Sequence, residues 1–400
     1  MRKLITYIIL FFSFFLYSQE PLFTLVDNSK TGIDFSNDLV DTKEHSIFLY
    51  ANYYGGAGVG IGDFDNDGLE DIFFAANLVD DKIYKNLGNF QFEDKTKMSG
   101  IINNGSWSTG VTVADVNNDG LLDIYVSCEL YDDLPYLRTN KLYINQGDFK
   151  FIESAENWGV DVDRRTRHSV FFDYNNDGLL DLYLLNHPPN TGNFSPFFGS
   201  DMTLPEYNLQ LFENKGDHFI DVTQSAGLDR SGFPNAAVIG DFNKDGWPDI
   251  YVANDFDAPD FLYYNNKDGS FTYKTESSLR HTSFYSMGVD AADINNDSHL
   301  DLMVLDMTAE DNFRLKSNMS AMNPESFWKV VNGGGHYQYM FNTMQINNGN
   351  DTFSDIAQLT GTAATDWSWS SLVADFDNDG NKDIYITNGL LRDIRNTDAD

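Results

Sequence analysis

The sequence predicts an all-β protein, a β-propeller of four-stranded blades, with six repeat units visible. Three observations carry this. One nine-residue acidic pattern occurs six times, and each copy runs directly into a short hydrophobic strand. Successive copies start 52, 58, 68, 52 and 82 residues apart, which is the length of a blade with variable insertions.

Within the acidic pattern, oxygen-bearing side chains stand at positions 1, 3, 5 and 9. They are Asp63, Asp65, Asp67 and Asp71; Asp115, Asn117, Asp119 and Asp123; and Asp173, Asn175, Asp177 and Asp181. The later copies give Asp241, Asn243, Asp245 and Asp249; Asp293, Asn295, Asp297 and Asp301; and Asp375, Asp377, Asp379 and Asp383. Alternate oxygens around a tight turn suit calcium, a hard cation that takes six to eight oxygen ligands in flexible geometry. Position 6 is Gly except at Ser298, where a positive φ costs on the order of 1 kcal/mol, so the fifth loop is expected to bind most weakly. Position 7 varies freely through Leu69, Leu121, Leu179, Trp247, His299 and Asn381, as expected of a residue that offers only its carbonyl. The EF-hand's closing Glu at position 12 is replaced by apolar residues, so the closing carboxylate is expected at position 9. A single copy would read as a metal-free Asx turn. Six in register favour up to six Ca²⁺, one per loop.

The flanking segments repeat as well. A unit opens with Phe and a polar strand leading to Gly and usually an aliphatic residue: Phe23 to Ile33, Phe92 to Ile101, Phe151 to Val160, Phe219 to Leu228 and Phe353 to Thr362, with a degenerate copy at Phe271. A strand of small and apolar residues then enters the acidic loop, and the crowding of inner strands near a propeller axis explains its Gly and Ala. A near-continuous apolar strand leaves the loop, as in Ile124-Tyr-Val-Ser and Ile250-Tyr-Val-Ala, a pattern of burial on both faces. A third strand ends each unit at Asn86, Asn145, Asn214, Asn265 and Asn347. The widest interval holds an insertion at about 307–339, helical in pattern from Glu310 to Val331, read as a surface excursion or a binding lid. The last unit lacks its third strand, so either the N-terminal segment closes the ring or the chain is truncated at its C-terminus.

A formal net charge of −35 argues against a nucleic-acid partner, because nothing would neutralise an extended phosphate track. Much of that charge is local, since the six loops supply 20 carboxylates. Residues 1–18 read as a cleavable signal peptide, with Arg2 and Lys3 before an apolar run too short to span a bilayer, which leaves 19–400 for the repeats of a secreted or cell-surface protein. Cys128, the sole cysteine, is expected to be an inert core thiol. An exported chain without disulfides needs another staple, and metal can supply one.

With loops and flanks together, the sequence resembles the FG-GAP and VCBS repeat proteins, which include the integrin α-subunit propellers. The resemblance covers nearly all of residues 23–400. Gly349-Asn-Asp-Thr-Phe353, Thr365-Asp-Trp-Ser-Trp369 and Asn388-Gly-Leu-Leu-Arg392-Asp are similar to large secreted bacterial members that continue into further repeats. The family implies a seven-bladed propeller with calcium in its loops, used for adhesion or ligand binding.

Topology directs function to the rim opposite the acidic loops, where Tyr53, Tyr54, Trp107, Arg165, Arg167, His168, His187, Phe233, Phe284, Tyr285, Trp367 and Trp369 gather. Aromatic and Arg side chains there suit an extracellular protein or glycan partner, and packing between blades is the competing reading. No zinc-protease helix or phosphate loop occurs, and Gly105-Ser-Trp-Ser108-Thr-Gly110 is one residue too long for a nucleophile elbow. The expected function is therefore non-catalytic binding or adhesion. The alternative is a propeller-based polysaccharide lyase or glycoside hydrolase with dispersed catalytic carboxylates.

Overall fold

The computed structural model describes residues 21–50, 52–188, 205–256, 258–318 and 323–389, so the expected signal peptide lies outside the described residues. Five complete four-stranded antiparallel blades are present. They comprise β1 (Val59–Gly62) to β4 (Phe92–Asp94), with β2 (Asp71–Phe74) and β3 (Lys82–Asn86); and β5 (Trp107–Ala114), β6 (Asp123–Glu129), β7 (Lys141–Asn145) and β8 (Phe151–Glu153). The third is β9 (Arg165–Phe172), β10 (Asp181–His187), β11 (Gln210–Asn214) and β12 (Phe219–Asp221), and the fourth is β13 (Pro234–Gly240), β14 (Asp249–Asn254), β15 (Phe261–Asn265) and β16 (Phe271–Tyr273). A short strand β17 (Thr282–Ser283) precedes the fifth, formed by β18 (Val289–Ala292), β19 (Asp301–Val304), β21 (Thr343–Asn347) and β22 (Phe353–Asp355). A sixth unit contributes the hairpin β23 (Ser368–Ala374) and β24 (Asp383–Asn388).

Each unit is a meander in sequence order, and its first two strands are joined by the acidic loop, as in Ala114↔Asp123 and Gly240↔Asp249. The innermost strands lie side by side in the order β1, β5, β9, β13, β18 and β23. Their small residues are required by this approach: a Cβ on Gly58 would sit 2.6 Å from the Val111 nitrogen, and one on Gly288 would sit 2.4 Å from the Trp369 carbonyl oxygen. The second strands are the core, and every residue of β6, β10, β14 and β19 is buried, including Cys128. Hydrophobic clusters then form between neighbouring blades, as where Ile250 and Phe261 of the fourth meet Tyr183 and Leu211 of the third.

One expectation needs revision. The polar stretch after each opening Phe is a strand of three residues followed by one helical turn, as at Phe92–Asp94 and Thr96–Ser99, which Gly100 ends in the left-handed conformation. Within the insertion, helices run Asn312–Asn318 and Pro324–Asn332, and the segment is pinned back where β20 (Gln338–Tyr339) pairs in parallel with β17.

The N-terminal segment reproduces the outer edge of a blade. Its one-turn helix, Asn28–Thr31, is capped by Asp27 and ended by Gly32 at φ 76°. A Cβ on Gly32 would meet the Phe92 carbonyl oxygen at 2.7 Å, as one on Gly100 would meet the Phe151 carbonyl oxygen at 2.6 Å. Phe23 packs edge-on against Phe376 and Tyr385 of the sixth unit, at ring-centroid distances of 5.5 and 5.4 Å.

Candidate metal centres on the acidic rim

All six loops adopt one conformation, generated by the aspartate at position 1. One of its carboxylate oxygens accepts the N–H of position 5 at 2.9–3.1 Å and the other accepts that of position 6 at 2.8–2.9 Å. The position 5 carboxylate accepts the N–H of position 7 in every loop, so that residue takes part through its backbone whatever its side chain, and only in the fifth loop does the side chain also engage, with His299 Nδ1 3.1 Å from Asp297. Ser298 takes the glycine's place at φ 70°, so the fifth loop bears the strain the sequence implies.

Position 9 does more than close a ligand set. Its Oδ2 accepts the N–H of position 2, and in the five complete blades its Oδ1 accepts the N–H of the third-strand asparagine at 2.7–2.9 Å. This aspartate thus ties loop, second strand and third strand together while each oxygen keeps a lone pair. Burial pushes its carboxyl upward, to about 6 at Asp71 and about 7 at Asp123, Asp181 and Asp249, with backbone N–H bonds opposing the rise and neighbouring loop aspartates adding to it. Asp301 rises for the same reason.

Two further sets of residues belong to this rim and escaped the sequence reading. The third-strand asparagines are clamps between blades: Asn145, Asn214, Asn265 and Asn347 each donate from Nδ2 to the position 2 carbonyl of the preceding blade's loop, at 2.7–2.9 Å. Position 4, which is Asn in five loops and Lys244 in the fourth, stands at positive φ. Asn66, Asn118 and Asn296 use that geometry to donate to the position 6 carbonyl of the next loop, at 3.0, 3.3 and 3.2 Å. The recurrence of asparagine at both places was the available signal.

The donor set fits a divalent cation. Carboxylate oxygens of Asp63, Asp65 and Asp71 converge within 4.8 Å of one another, as do those of Asp375, Asp377 and Asp383. In the other four loops position 3 is an asparagine, whose amide oxygen replaces one carboxylate. Asp65 Oδ1 is buried without a hydrogen-bond partner. Among the described residues, no Lys or Arg pairs with the acids of the second, third or sixth loop. The first loop differs, because the Lys85 ammonium lies against Asp65 and 2.7 Å from Asp67. All-oxygen donors on a flexible turn suit calcium better than softer metals.

The opposite rim corrects part of the expected partner face. Tyr53 and Trp107 are 0 % and 1 % exposed and pack with Tyr50 in one cluster, while Trp367 is buried beside Met287 and Met307. Trp107 opens the innermost strand β5 and Trp367 immediately precedes β23, and packing within these apolar clusters claims both rings. Phe233 and His187 are buried against each other, and the His187 Nε2 bonds the Pro234 carbonyl at 3.0 Å. Arg165 is occupied by Asp132, at 3.0 Å from Nε and 2.5 Å from Nη2, and Tyr54 bonds Asp41. Phe284 and Tyr285 are half-buried in a T-shaped pair. A cavity of about 250 Å³ remains on the axis, lined by Thr109, Arg167, His168, Asn235, Met287 and Trp369 among others. Burial and the Arg167 charge push His168 down to about 4, so it is neutral there at neutral pH. Arg167 itself sits over Glu129 at 3.4 Å, and Glu129 also receives the Tyr50 hydroxyl.

Known proteins resemble this chain at low sequence identity. The human cartilage acidic protein 1 is 25% identical over 308 residues, covering 71% of this chain and 42% of that protein, so the chain spans less than half of its relative's length. Among solved structures, an Agrocybe aegerita lectin that recognises non-reducing terminal N-acetylglucosamine is 18% identical with a TM-score of 0.45, covering 82% of this chain and 73% of that one. A fructofuranosidase from Schwanniomyces occidentalis is 8% identical with a TM-score of 0.32, covering 84% and 62%. The profile of the FG-GAP-like repeat matches residues 37–126, 202–252, 241–304 and 330–386, and with its repeated blades and loops the chain belongs to that family.

Proposed function

We propose that this chain is an extracellular, calcium-stabilised binding module, whose acidic rim holds structural ions and whose opposite rim meets a protein or glycan partner. The observation that carries the reading is the conformation shared by six loops, with carboxylates converging in the first and sixth and few basic neighbours around the rim. Bound calcium would supply the positive charge these sites lack. The chain's own part is to hold the donors in place: position 1 shapes the turn, and position 9 links it to two strands. At ten times its Kd each ion adds about 1.4 kcal/mol, so six would contribute roughly 8 kcal/mol, on the scale of a whole domain's stability. On the opposite rim, the axial cavity with Arg167, Asn235 and the half-exposed Trp369 offers a cation, an amide and an aromatic face, which is the equipment of polar-ligand recognition.

Stripping divalent ions should lower the melting temperature by about 10 °C, given an unfolding entropy near 2.1 cal/mol/K per residue, and calcium should restore it. An unchanged melting curve with no calcium uptake by calorimetry refutes the metal reading. Screening the protein on an array of extracellular glycans, with Trp369→Ala as the comparison, tests the binding role. Binding that survives this change in full would remove the axial cavity from consideration.

A further inference from the structure

A second cleft opens at the outer edge of the third blade, on the rim opposite the acidic loops. It holds about 510 Å³ between Arg164, which precedes β9, the entry to β11 at Asn208 and Gln210, and the helical turn Thr223–Ala226 that follows β12. Asp221 and Asp229 also line it, and it shares no residue with the axial cavity.

The charges in this cleft do not satisfy one another. Arg165 and Arg167, the neighbours of Arg164 in sequence, are ion-paired with Asp132 and Glu129. Among the described residues the half-buried Arg164 makes no ion pair, and its one hydrogen bond is a long one, from Nη1 to the Asn208 carbonyl at 3.3 Å. Burial pulls its guanidinium below the ordinary value, against the opposing effect of Asp221, Asp163 and Glu206. Asn208 is 9% exposed and accepts the Ser231 hydroxyl on Oδ1, while its Nδ2 bonds nothing among the described residues. The Asp229 carboxylate likewise has no partner among them, and the adjacent Arg230 is turned onto the Tyr273 ring at 4.0 Å.

Other blades show what this place can hold. Lys82 opens β3 as Gln210 opens β11, and Asp94 closes β4 as Asp221 closes β12. In the first blade the Lys82 ammonium stands 3.2 Å from Asp94 and 2.7 Å from Asp34. In the fifth, the corresponding Asp355 receives His281 at 3.0 Å. The third blade keeps the acid but offers a neutral side chain: Gln210 Nε2 donates to Asp221 at 3.0 Å, and among the described residues no cation pairs with that carboxylate. One guanidinium thus faces the field of Asp221, Asp229, Asp163 and Glu206, a balance that favours a ligand with more positive than negative charge.

We propose that this cleft binds a small cationic zwitterion of the basic amino-acid class. Its carboxylate meets Arg164 and the Asn208 amide, and an ammonium takes, against Asp221, the place that Lys82 fills in the first blade, with Asp229 as a further acceptor. Guanidinium and carboxylate match in shape and form charge-assisted bonds stronger than neutral ones. The cleft is open to water, so screening holds the affinity to about the millimolar range. The charge balance sets a ranking, with L-lysine above L-glutamine and L-glutamate weakest.

Calorimetric titration of the 400-residue protein with L-lysine, at neutral pH and saturating calcium, tests this. L-Lysinamide, which lacks the carboxylate, should bind about tenfold more weakly than lysine; Arg164→Met should weaken lysine by a similar factor and leave lysinamide unchanged. Asp229→Asn breaks no bond among the described residues, so it should weaken lysine while moving the ligand-free melting temperature by less than about one degree. Gln210→Lys puts an ammonium in the seat and should abolish binding. No heat with lysine at about 10 mM in the folded protein overturns the proposal. So does lysine binding that Arg164→Met leaves intact, or N-acetylglucosamine binding as tightly as lysine and lost in the same variant, which would make the cleft a neutral sugar site. Because no residue lines both cavities, this test and the glycan screen fail independently.

Discussion

Replacing Asn214 by alanine tests whether the third-strand asparagines hold neighbouring blades together. Asn214 is fully buried, donates to the Val116 carbonyl of the previous blade at 2.8 Å and to the Leu180 carbonyl at 3.1 Å, and accepts the Gly216 N–H at 2.8 Å. The truncation leaves two carbonyls and one N–H without their partner. A buried polar group stripped of its partner costs about 1–3 kcal/mol, and water reaching the turn at Gly216 reduces one of the three, so the total is about 3–4 kcal/mol. With an unfolding entropy near 2.1 cal/mol/K per residue over 400 residues, the melting temperature falls by about 4–5 °C. Asn86→Ala removes one carbonyl bond fewer and should fall by about 1–2 °C less. Calorimetry at fixed saturating calcium measures both. A shift under about 1 °C for Asn214→Ala, or a larger loss for Asn86→Ala, would refute the clamp.

Two further outcomes follow from charge. Lys85→Met should lower the melting temperature of the metal-free protein, because among the described residues the Lys85 ammonium is the only cation against Asp65 and Asp67; in calcium it should be neutral and tighten one site about tenfold, read by calorimetric titration. An isotherm identical to the wild type defeats that expectation. Burial raises Asp81 and Asp306 to about 6 and Asp260 to about 7, above the ordinary value of 3.8. The folded state holds these protons more tightly, so their favourable contribution is complete below about pH 4 and is lost as pH rises through 6–7. The metal-free protein should therefore melt lower at pH 8 than at pH 5. Asp260→Asn, which can still bond Asn254 and Tyr251, should flatten that slope, and an unchanged slope would remove Asp260 from the account.

The acidic loops were legible because their spacing is a local property: nine consecutive residues contain the turn and the donors, so the pattern survives without knowledge of neighbours. The apolar second strands were legible for a similar reason, since burial on both faces leaves a run and not an alternation. What lay hidden depends on residues far apart in sequence. Asn347 reads as a turn residue until the Phe242 carbonyl, 105 positions earlier, is seen beneath its amide. Asp81, Asp260 and Asp306 are indistinguishable by composition from the surface acids around them, yet each is buried under strand-end N–H groups. Trp107 and Tyr53 were assigned to the partner rim by topology, and their burial against Tyr50 depends on a contact between residues more than fifty positions apart that the sequence does not display.

The amides at position 4 stitch the loops into groups. Asn66 reaches the second loop, Asn118 the third and Asn296 the sixth, whereas Lys244 has no amide to extend and no such bond joins the fourth loop to either side among the described residues. A distortion in one turn is thus passed along a trio at one end of the arc and a pair at the other, with an isolated member between. Filling and emptying of the rim would then proceed in blocks, and the loop that carries Trp247 would report on its own state alone.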